Sequence, residues 1–425
     1  MKPDGSAEGP AYRPRLVDDQ LRNRLSGIGA VLIEGPRACG KTVTASRVAR
    51  TTFRLDVDGA ARGAAATAPS LLLDGDPPVL LDEWQLEPAL WNHVRRAVDD
   101  RSPAKGLFIL TGSATPSDDA NRHSGAGRIA TIQMRPMSLL ETGHSTGEVS
   151  MAAVLDGGEV RALDAGLDVP KLIDRICIGG WPLLLDATAV DAAEWLVDYL
   201  DQIVLVDVSA LGARRDPTNV RRLLTALARN VGTDVKVASL ARDVGGPAGP
   251  IARETLDNYL DALWRLRLVE DAPAWAPHMR SATPLRAAST RYFVDPSLAV
   301  AALGQGPQQL MADLNATGFF FENLVVRDVR VYLQQFGGQV HHWGDANQNE
   351  VDVVVTMPDG RWGAFEVKLN PDDAGKAAAK LTRFASKVDQ TKVGAPSALG
   401  VITSTGYAYR RADGVLMLPI GSLGP

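Results

Sequence analysis

Between an apolar run and a helix-like stretch, "AVLIEGPRACGKTVTASRVAR" holds Gly35-x-x-x-x-Gly40-Lys41-Thr42. No other feature of the chain restricts its fold as strongly. Strand, glycine-rich loop and helix in that order form a phosphate-binding loop. Gly35 and Gly40 permit tight turns, so successive backbone N–H groups can face phosphate oxygens. The following helix adds its positive N-terminal end. The loop runs from Gly35 through Pro36, Arg37, Ala38, Cys39 and Gly40 to Lys41, Thr42 and Val43. Lys41 is expected to reach the β- and γ-phosphates of ATP, and Thr42 to offer a hydroxyl to Mg²⁺. Cys39 reads as a small filler.

Such a loop needs a second strand ending in a carboxylate. "PPVLLDEWQ" supplies one: Val79 to Leu81 form the strand, Asp82 is the expected Mg²⁺ partner, and Glu83 is placed to polarise the attacking water. The alternative is an N-cap pair opening the helix that holds Trp91 and Val94. "LFILTGSA" ends in Thr111 and Ser113, either of which suits a sensor of the γ-phosphate or water. Beyond a loop, "GAGRIATIQMRPMSLLE" presents Arg128, a candidate for completing transition-state charge in cis or from a neighbouring subunit, with Arg135 as rival and a surface arginine as the default.

At this point the chain resembles P-loop ATPases of the AAA+ kind that carry a C-terminal domain of unknown function. The resemblance is carried by "GPRACGKT", "LLDEWQ", "LTGSA", "GRIATIQMRPMSLLE", "GGWP", "RYFVDPSLA", "GFFFENLV", "NEVDVVV" and "FEVK". It implies an ATPase with a three-layer α/β core and settles the domain plan better than the purpose.

The length of 425 residues asks for two or three domains. The expected plan is a flexible tail over 1–14, an ATPase domain over 15–150 and a helical linker over 151–215. A winged-helix-like domain over 216–290 and a C-terminal α/β domain over 291–425 complete it. Two cysteines, Cys39 and Cys177, build neither a disulfide framework nor a zinc site unaided. With no apolar signal core and no run of about twenty apolar residues, a cytoplasmic protein off the membrane is expected. The formal net charge is −5, yet the stretch from Arg214 to Arg291 holds 13 Lys/Arg against 8 Asp/Glu. That segregation favours an anionic partner such as DNA. Against it, the last helix of the segment carries Glu254, Asp257 and Asp261 beside Arg253. A packing domain that relays ATPase movement is the other reading.

"GAFEVKLN" sets Glu366 and Lys368 two apart on one strand face. Upstream, "QNEVDVVVTMPDG" places Asp352 on a strand joined to theirs by one turn, and "TGFFFENLVVRDVRVYLQQF" reads as an amphipathic helix bearing Glu322. A helix glutamate, a strand aspartate and a strand Glu-x-Lys resemble the PD-(D/E)xK nuclease constellation, in a restriction-endonuclease-like αβββαβ core completed by "AAAKLTRFASKV". Three carboxylates suit Mg²⁺ or Mn²⁺, with Lys368 positioning water or neutralising charge. The same pair also serves as a plain ion pair, since an unpaired lysine on an interior strand is costly. Val351 stands where that family often has proline. Two readings stay open: an ATP-driven enzyme acting on DNA, or a nucleotide-controlled switch whose C-terminal domain only binds DNA or a protein partner. The oligomeric state is not legible.

Overall fold

The computed structural model describes residues 12–113, 123–208, 211, 215–277, 289–345 and 349–425. Residues 1–11 of the expected tail lie outside them, as do Arg214, Arg280 and Arg286 of the basic surplus.

The first half alternates helices and short apolar strands. In chain order it holds α1 (Leu16–Gly27), β1 (Ala30–Glu34), α2 (Lys41–Ser46), β2 (Thr51–Arg54), α3 (Gly59–Thr67), α4 (Ser70–Leu73), β3 (Val79–Asp82), α5 (Leu90–Asp100), β4 (Phe108–Gly112) and β5 (Ile129–Gln133). The five strands form one parallel sheet in the order β2-β3-β4-β1-β5. β1, β3 and β4 read as unbroken apolar runs because both faces are covered. Alternate residues divide between two cores. Val31, Ile33, Leu80 and Ile109 enter the large shared core, while Leu32, Val79, Leu81 and Leu110 pack with Trp84, Trp91 and Val94.

A helical middle follows: β6 (Val149–Ser150), α6 (Met151–Leu155), α7 (Val169–Ile178), α8 (Ala189–Gln202), which runs on as a π-helical turn over Ile203–Asp207, α9 (Pro217–Arg229), α10 (Val237–Gly245) and α11 (Arg253–Arg265). The helices start where the sequence caps them: Asp168, Thr188 and Asp216 each accept from a backbone N–H of the first turn. β7 (Val269–Ala272) and β8 (Thr290–Phe293) pair antiparallel, so this hairpin crosses the boundary expected at residue 290. α12 (Pro296–Ala302) and α13 (Pro307–Ala312) lead into the last part.

That part contains α14 (Leu314–Leu333), β9 (Gln339–Gly344), β10 (Glu350–Thr356), β11 (Trp362–Lys368), α15 (Ala374–Lys387), α16 (Gln390–Val393), β12 (Ala398–Thr403), β13 (Tyr409–Arg410), β14 (Leu416–Pro419) and β15 (Leu423–Gly424). Its six-stranded mixed sheet has the order β13-β14-β12-β11-β10-β9. α14 departs from the amphipathic expectation. Phe321, Asn323, Leu324, Val325, Arg327 and Asp328 are all buried, so it runs through the interior rather than over it.

The short motifs shared along the chain meet in one buried ionic knot. Asp295, at the start of α12, accepts from Gly180 N at 2.9 Å and pairs with Arg327 of α14 at 2.7 Å. Arg327 also pairs with Asp328 at 2.7 Å, and Asp328 accepts from Leu139 N at 2.9 Å. Trp181 donates its indole N–H to Ser297 Oγ at 3.0 Å, and Met137 N donates to Gly180 O at 2.7 Å. "RPMSLLE", "GGWP", "VDPSLA" and "ENLVVRD" are therefore an internal junction. Charges this deep persist only when every partner is present.

Candidate functional site

β1, β3 and β4 end level with one another, with Asp82 opposite Thr111 and Glu34 opposite Gly112. Ligands of open parallel sheets bind beyond such carboxyl ends. The loop after β1 turns through Ala38 at φ 61° and Gly40 at φ 103° before α2 begins. Gly35 has no room for a side chain, since a Cβ there would lie 2.1 Å from Met134 O. Arg37, Ala38 and Val43 are exposed, whereas Pro36, Cys39 and Lys41 are buried.

The Lys41 ammonium donates to Gly35 O at 2.9 Å, Pro36 O at 2.8 Å and Ser113 Oγ at 3.3 Å. All three acceptors are neutral. Thr42 donates its hydroxyl to Asp82 Oδ1 at 2.9 Å, and Thr111 donates to the same oxygen. One hydroxyl and one carboxylate from adjacent elements are hard oxygen donors of the kind Mg²⁺ takes with water and phosphate. That donor chemistry fits an ATP-bound Mg²⁺. Glu83 follows at φ 55°, a left-handed conformation uncommon for a residue with a Cβ, and its carboxylate accepts from Gln85. It opens a short 3-10 turn, Trp84–Leu86, rather than the helix carrying Trp91.

Arg128 does not reach this site in its own chain. It precedes β5 where Ile129 pairs with Ala30, the first residue of β1, and its carbonyl accepts from Ala30 N. That is the far end of the sheet, roughly 13 Å from the loop at 3.3 Å per strand residue. Its guanidinium pairs with Asp99 at 2.8 Å. Its place before β5 fixes the N-terminal end of that strand; the sequence alone did not show that β5 runs parallel to β1. Arg135 leaves the correct end but is committed to Glu270 at 3.0 Å and Gln334 at 2.6 Å.

Two supports of the loop escaped the sequence reading. Arg15, buried, donates to Cys39 O at 2.9 Å and Arg135 O at 2.8 Å while pairing with Glu141 at 2.9 Å. From the helical middle, Asp207 pairs with Arg37 at 2.6 Å, and Tyr199 donates to Arg37 O at 3.3 Å. Neither carries a local signature.

The second sheet gathers the other predicted residues. Glu366, wholly buried, lies 2.9 Å from Lys368 Nζ, which also pairs with Asp352 at 3.1 Å. A register shift between Val351 and Val354 against β9 re-aims β10 at Asp352, whose carboxylate also accepts from Val367 N at 2.7 Å. Glu322 of α14 accepts from Tyr292 Oη at 2.6 Å. Burial pushes the Glu322 carboxyl well above the usual carboxylate range, and Asp352 pushes it further. Glu366 is raised for the same two reasons, with Lys368 and Lys380 opposing. Burial alone would lower Lys368, but Asp352 and Glu366 outweigh it and raise its ammonium pKa. Lys380 of α15, 2.9 Å from Glu366, was not singled out from sequence. Its helical position flanks the buried stripe of Ala377, Ala378, Leu381 and Phe384, a weak signal at best.

Carboxylate oxygens suit Mg²⁺ or Mn²⁺, but their arrangement does not. Among the described residues no group of three or more His, Cys, Asp or Glu is placed to hold a metal ion. The Lys368 ammonium stands between Asp352 and Glu366, where a cation would sit. The expected metal role of Glu322, Asp352 and Glu366 therefore does not fit this conformation. On α11, Arg253 is exposed and lies 3.6 Å from Asp257, beside exposed Glu254 and Asp261, a face poorly suited to phosphates. Among the described residues no helix is long and apolar enough to cross a membrane.

Comparison with known proteins divides the chain in three. Residues 28–143 match the family model described as an AAA domain. Residues 169–309 match a domain of unknown function, DUF8612, and residues 317–423 match another, DUF4143. None of the three spans half of the chain. No curated protein matches the sequence. Among solved structures the chain is similar to a Walker-type ATPase of Pyrococcus abyssi at 15% identity and a TM-score of 0.40, covering 69% of this chain and 99% of that one. The loop and its carboxylate, Asp82, both lie within the segment 28–143 that matches the AAA domain.

Proposed function

We propose that the chain hydrolyses ATP with Mg²⁺ and uses its nucleotide state to reposition a nuclease-like C-terminal domain that acts on or binds DNA. The observation that carries the ATPase half is the set Lys41, Thr42, Asp82, Thr111 and Ser113, drawn from α2, β3 and β4 with the residue after it to the carboxyl end of the sheet. Thr42 and Asp82 would hold Mg²⁺, which when bound offsets phosphate charge. Lys41 exchanges its loop carbonyls for the β- and γ-phosphates, giving up neutral acceptors for charged ones. Glu83 accepts a proton from the attacking water at its carboxylate, oriented by Gln85. Phosphate release tests this: Lys41→Ala is expected to remove turnover, and unchanged turnover would sink the assignment.

Cutting of DNA by the C-terminal domain is supported by the convergence of Glu322, Asp352, Glu366 and Lys368. A specific observation favours the second reading, a switch that binds DNA or a protein without cutting. Lys368 already occupies the space between the acids, and Lys380 caps Glu366. Incubation with single-stranded, duplex and branched DNA, with Mg²⁺ or Mn²⁺ and with or without ATP, separates the two. Cleavage lost in Lys368→Ala establishes an active site. ATP turnover raised by DNA without cleavage establishes a binding platform.

A further inference from the structure

Glu322, at one side of the acid–lysine cluster, packs against part of the helical middle. Tyr292, on β8, is buried with its hydroxyl on Glu322. The Arg330 guanidinium lies 5.8 Å from the Tyr292 ring centre. Asn323, next to Glu322, holds the last residue of β8 by two bonds: its side-chain oxygen accepts from Phe293 N at 3.1 Å, and its amide donates to Phe293 O at 2.8 Å. The turn after α9 closes over the same carboxylate. Gly232 donates its N–H to Arg291 O at 3.1 Å, and a Cβ on it would lie 3.1 Å from Glu322 Oε1. Glu322 thus faces two pieces of chain, β8 and the turn after α9.

The other strand of that hairpin is fastened to the ATPase sheet. Glu270 of β7 accepts from Gln133 at the end of β5, from Arg135 just beyond it, and from Arg330 at 2.9 Å. Just before β7, Arg267 pairs with Glu34, the residue immediately preceding Gly35 of the phosphate loop. Arg267 holds φ 57° at the end of α11, where Leu268 N donates to Leu263 O at 3.0 Å. That position in a helix-ending turn favours glycine. The arginine is costly to the backbone there, and its side chain supplies a contact that glycine cannot. An open cleft of about 630 Å³ lies beside the hairpin, lined by Arg135, Arg267, Glu270, Arg330 and His341.

We infer that the β7–β8 pair is an autoinhibitory cover on Glu322 of the C-terminal cluster, latched to the phosphate loop through Arg267 and Glu34 and loosened when ATP binds. This rests on the reading of the loop as the nucleotide site. Lys41 donates to Gly35 O and Pro36 O in the latched state. A triphosphate that draws the ammonium away frees Gly35 O, one residue from Glu34 and its pair with Arg267. A single hairpin then joins the two sheets: nucleotide at one end, Tyr292 on Glu322 at the other.

Hydrogen exchange on the full chain tests the latch. It is read on peptides spanning 290–294 and 318–325, with and without a non-hydrolysable ATP analogue and Mg²⁺. The analogue is expected to speed exchange of 290–294 about tenfold in the natural sequence. Arg267→Gly suits its turn and removes the ion pair. It is expected to show the faster exchange without nucleotide and little further response. Equal exchange in Arg267→Gly and the natural sequence overturns the latch. A fluorescent-nucleotide titration run alongside isolates the other reading: absent binding sinks the nucleotide site, while the Arg267→Gly comparison still decides whether the cover is held by this pair. Mn²⁺-dependent DNA cleavage that rises in Arg267→Gly supports the cover as a gate. Faster exchange with no cleavage keeps the cover and removes only the nuclease.

Discussion

Two lysines at the ends of two sheets are held in opposite ways. Lys41 rests on two carbonyls and a hydroxyl, and Asp82 beside it is held by two hydroxyls. Lys368 sits between Asp352 and Glu366, and Lys380 approaches Glu366 from α15. The first arrangement leaves its positive charge unmatched and suited to a polyanion arriving from outside. The second has matched its charges internally. A lysine beside carboxylates is thus not evidence of a working site; what matters is whether the lysine is spoken for.

The largest test of that contrast is Lys41→Ala, expected to lower ATP turnover about a thousandfold, as loss of a principal transition-state donor does. Phosphate release at saturating ATP measures it. Glu83→Gln comes next, about a hundredfold slower in hydrolysis with nucleotide affinity retained. Equal turnover would remove Glu83 from its role and return it to local structure.

Stability separates the two lysines further. Lys368→Met leaves Asp352 without a cation and Glu366 with Lys380 alone, and is expected to cost about 2 kcal/mol, below the fully buried case because its side chain keeps 29% exposure. Lys41→Met releases only neutral acceptors and should stay within about 1 kcal/mol. Urea unfolding of both variants at neutral pH reads this, and equal losses would erase the distinction.

The smallest effect is a pH signature at the hairpin. Burial would raise the Glu270 carboxyl, but Arg135 and Arg330 outweigh it and hold it below the usual range. A depressed carboxylate contributes stability above its unfolded value near 4.5, and that contribution fades as pH falls through the lower folded value. Glu270→Gln should therefore lower the melting temperature most at pH 7 and progressively less below about pH 4.5. A constant difference would mean that shape rather than charge holds β7.

What could be read in advance follows the range of the interactions. The phosphate loop was legible because its four marked positions lie within eight residues and act through backbone geometry. Glu366 and Lys368 were legible because a two-residue spacing fixes a shared strand face. Arg15, Tyr199, Asp207 and Lys380 were not, since each reaches its target from a different element. Arg128 shows the same limit in reverse: its type and loop suited the role, but only the pairing of Ile129 with Ala30 reveals that it belongs to the wrong end of the sheet. α14 reads as amphipathic from its sequence, but its Arg327 and Asp328 are buried, met in the interior by Asp295 and Leu139.

The knot formed by Leu139, Gly180, Asp295, Arg327 and Asp328 also bears on how such a chain can be inherited. Each of the three matched segments, or a link beside it, contributes a part that the others need. An ATPase segment transplanted alone into another protein would lose the carboxylate that receives Leu139 N, and the donor would keep a buried aspartate short of a partner. Recombination that cuts between these segments is penalised at once on both sides. A lineage carrying this junction is expected to pass its parts on together, or to rebuild the knot before separating them.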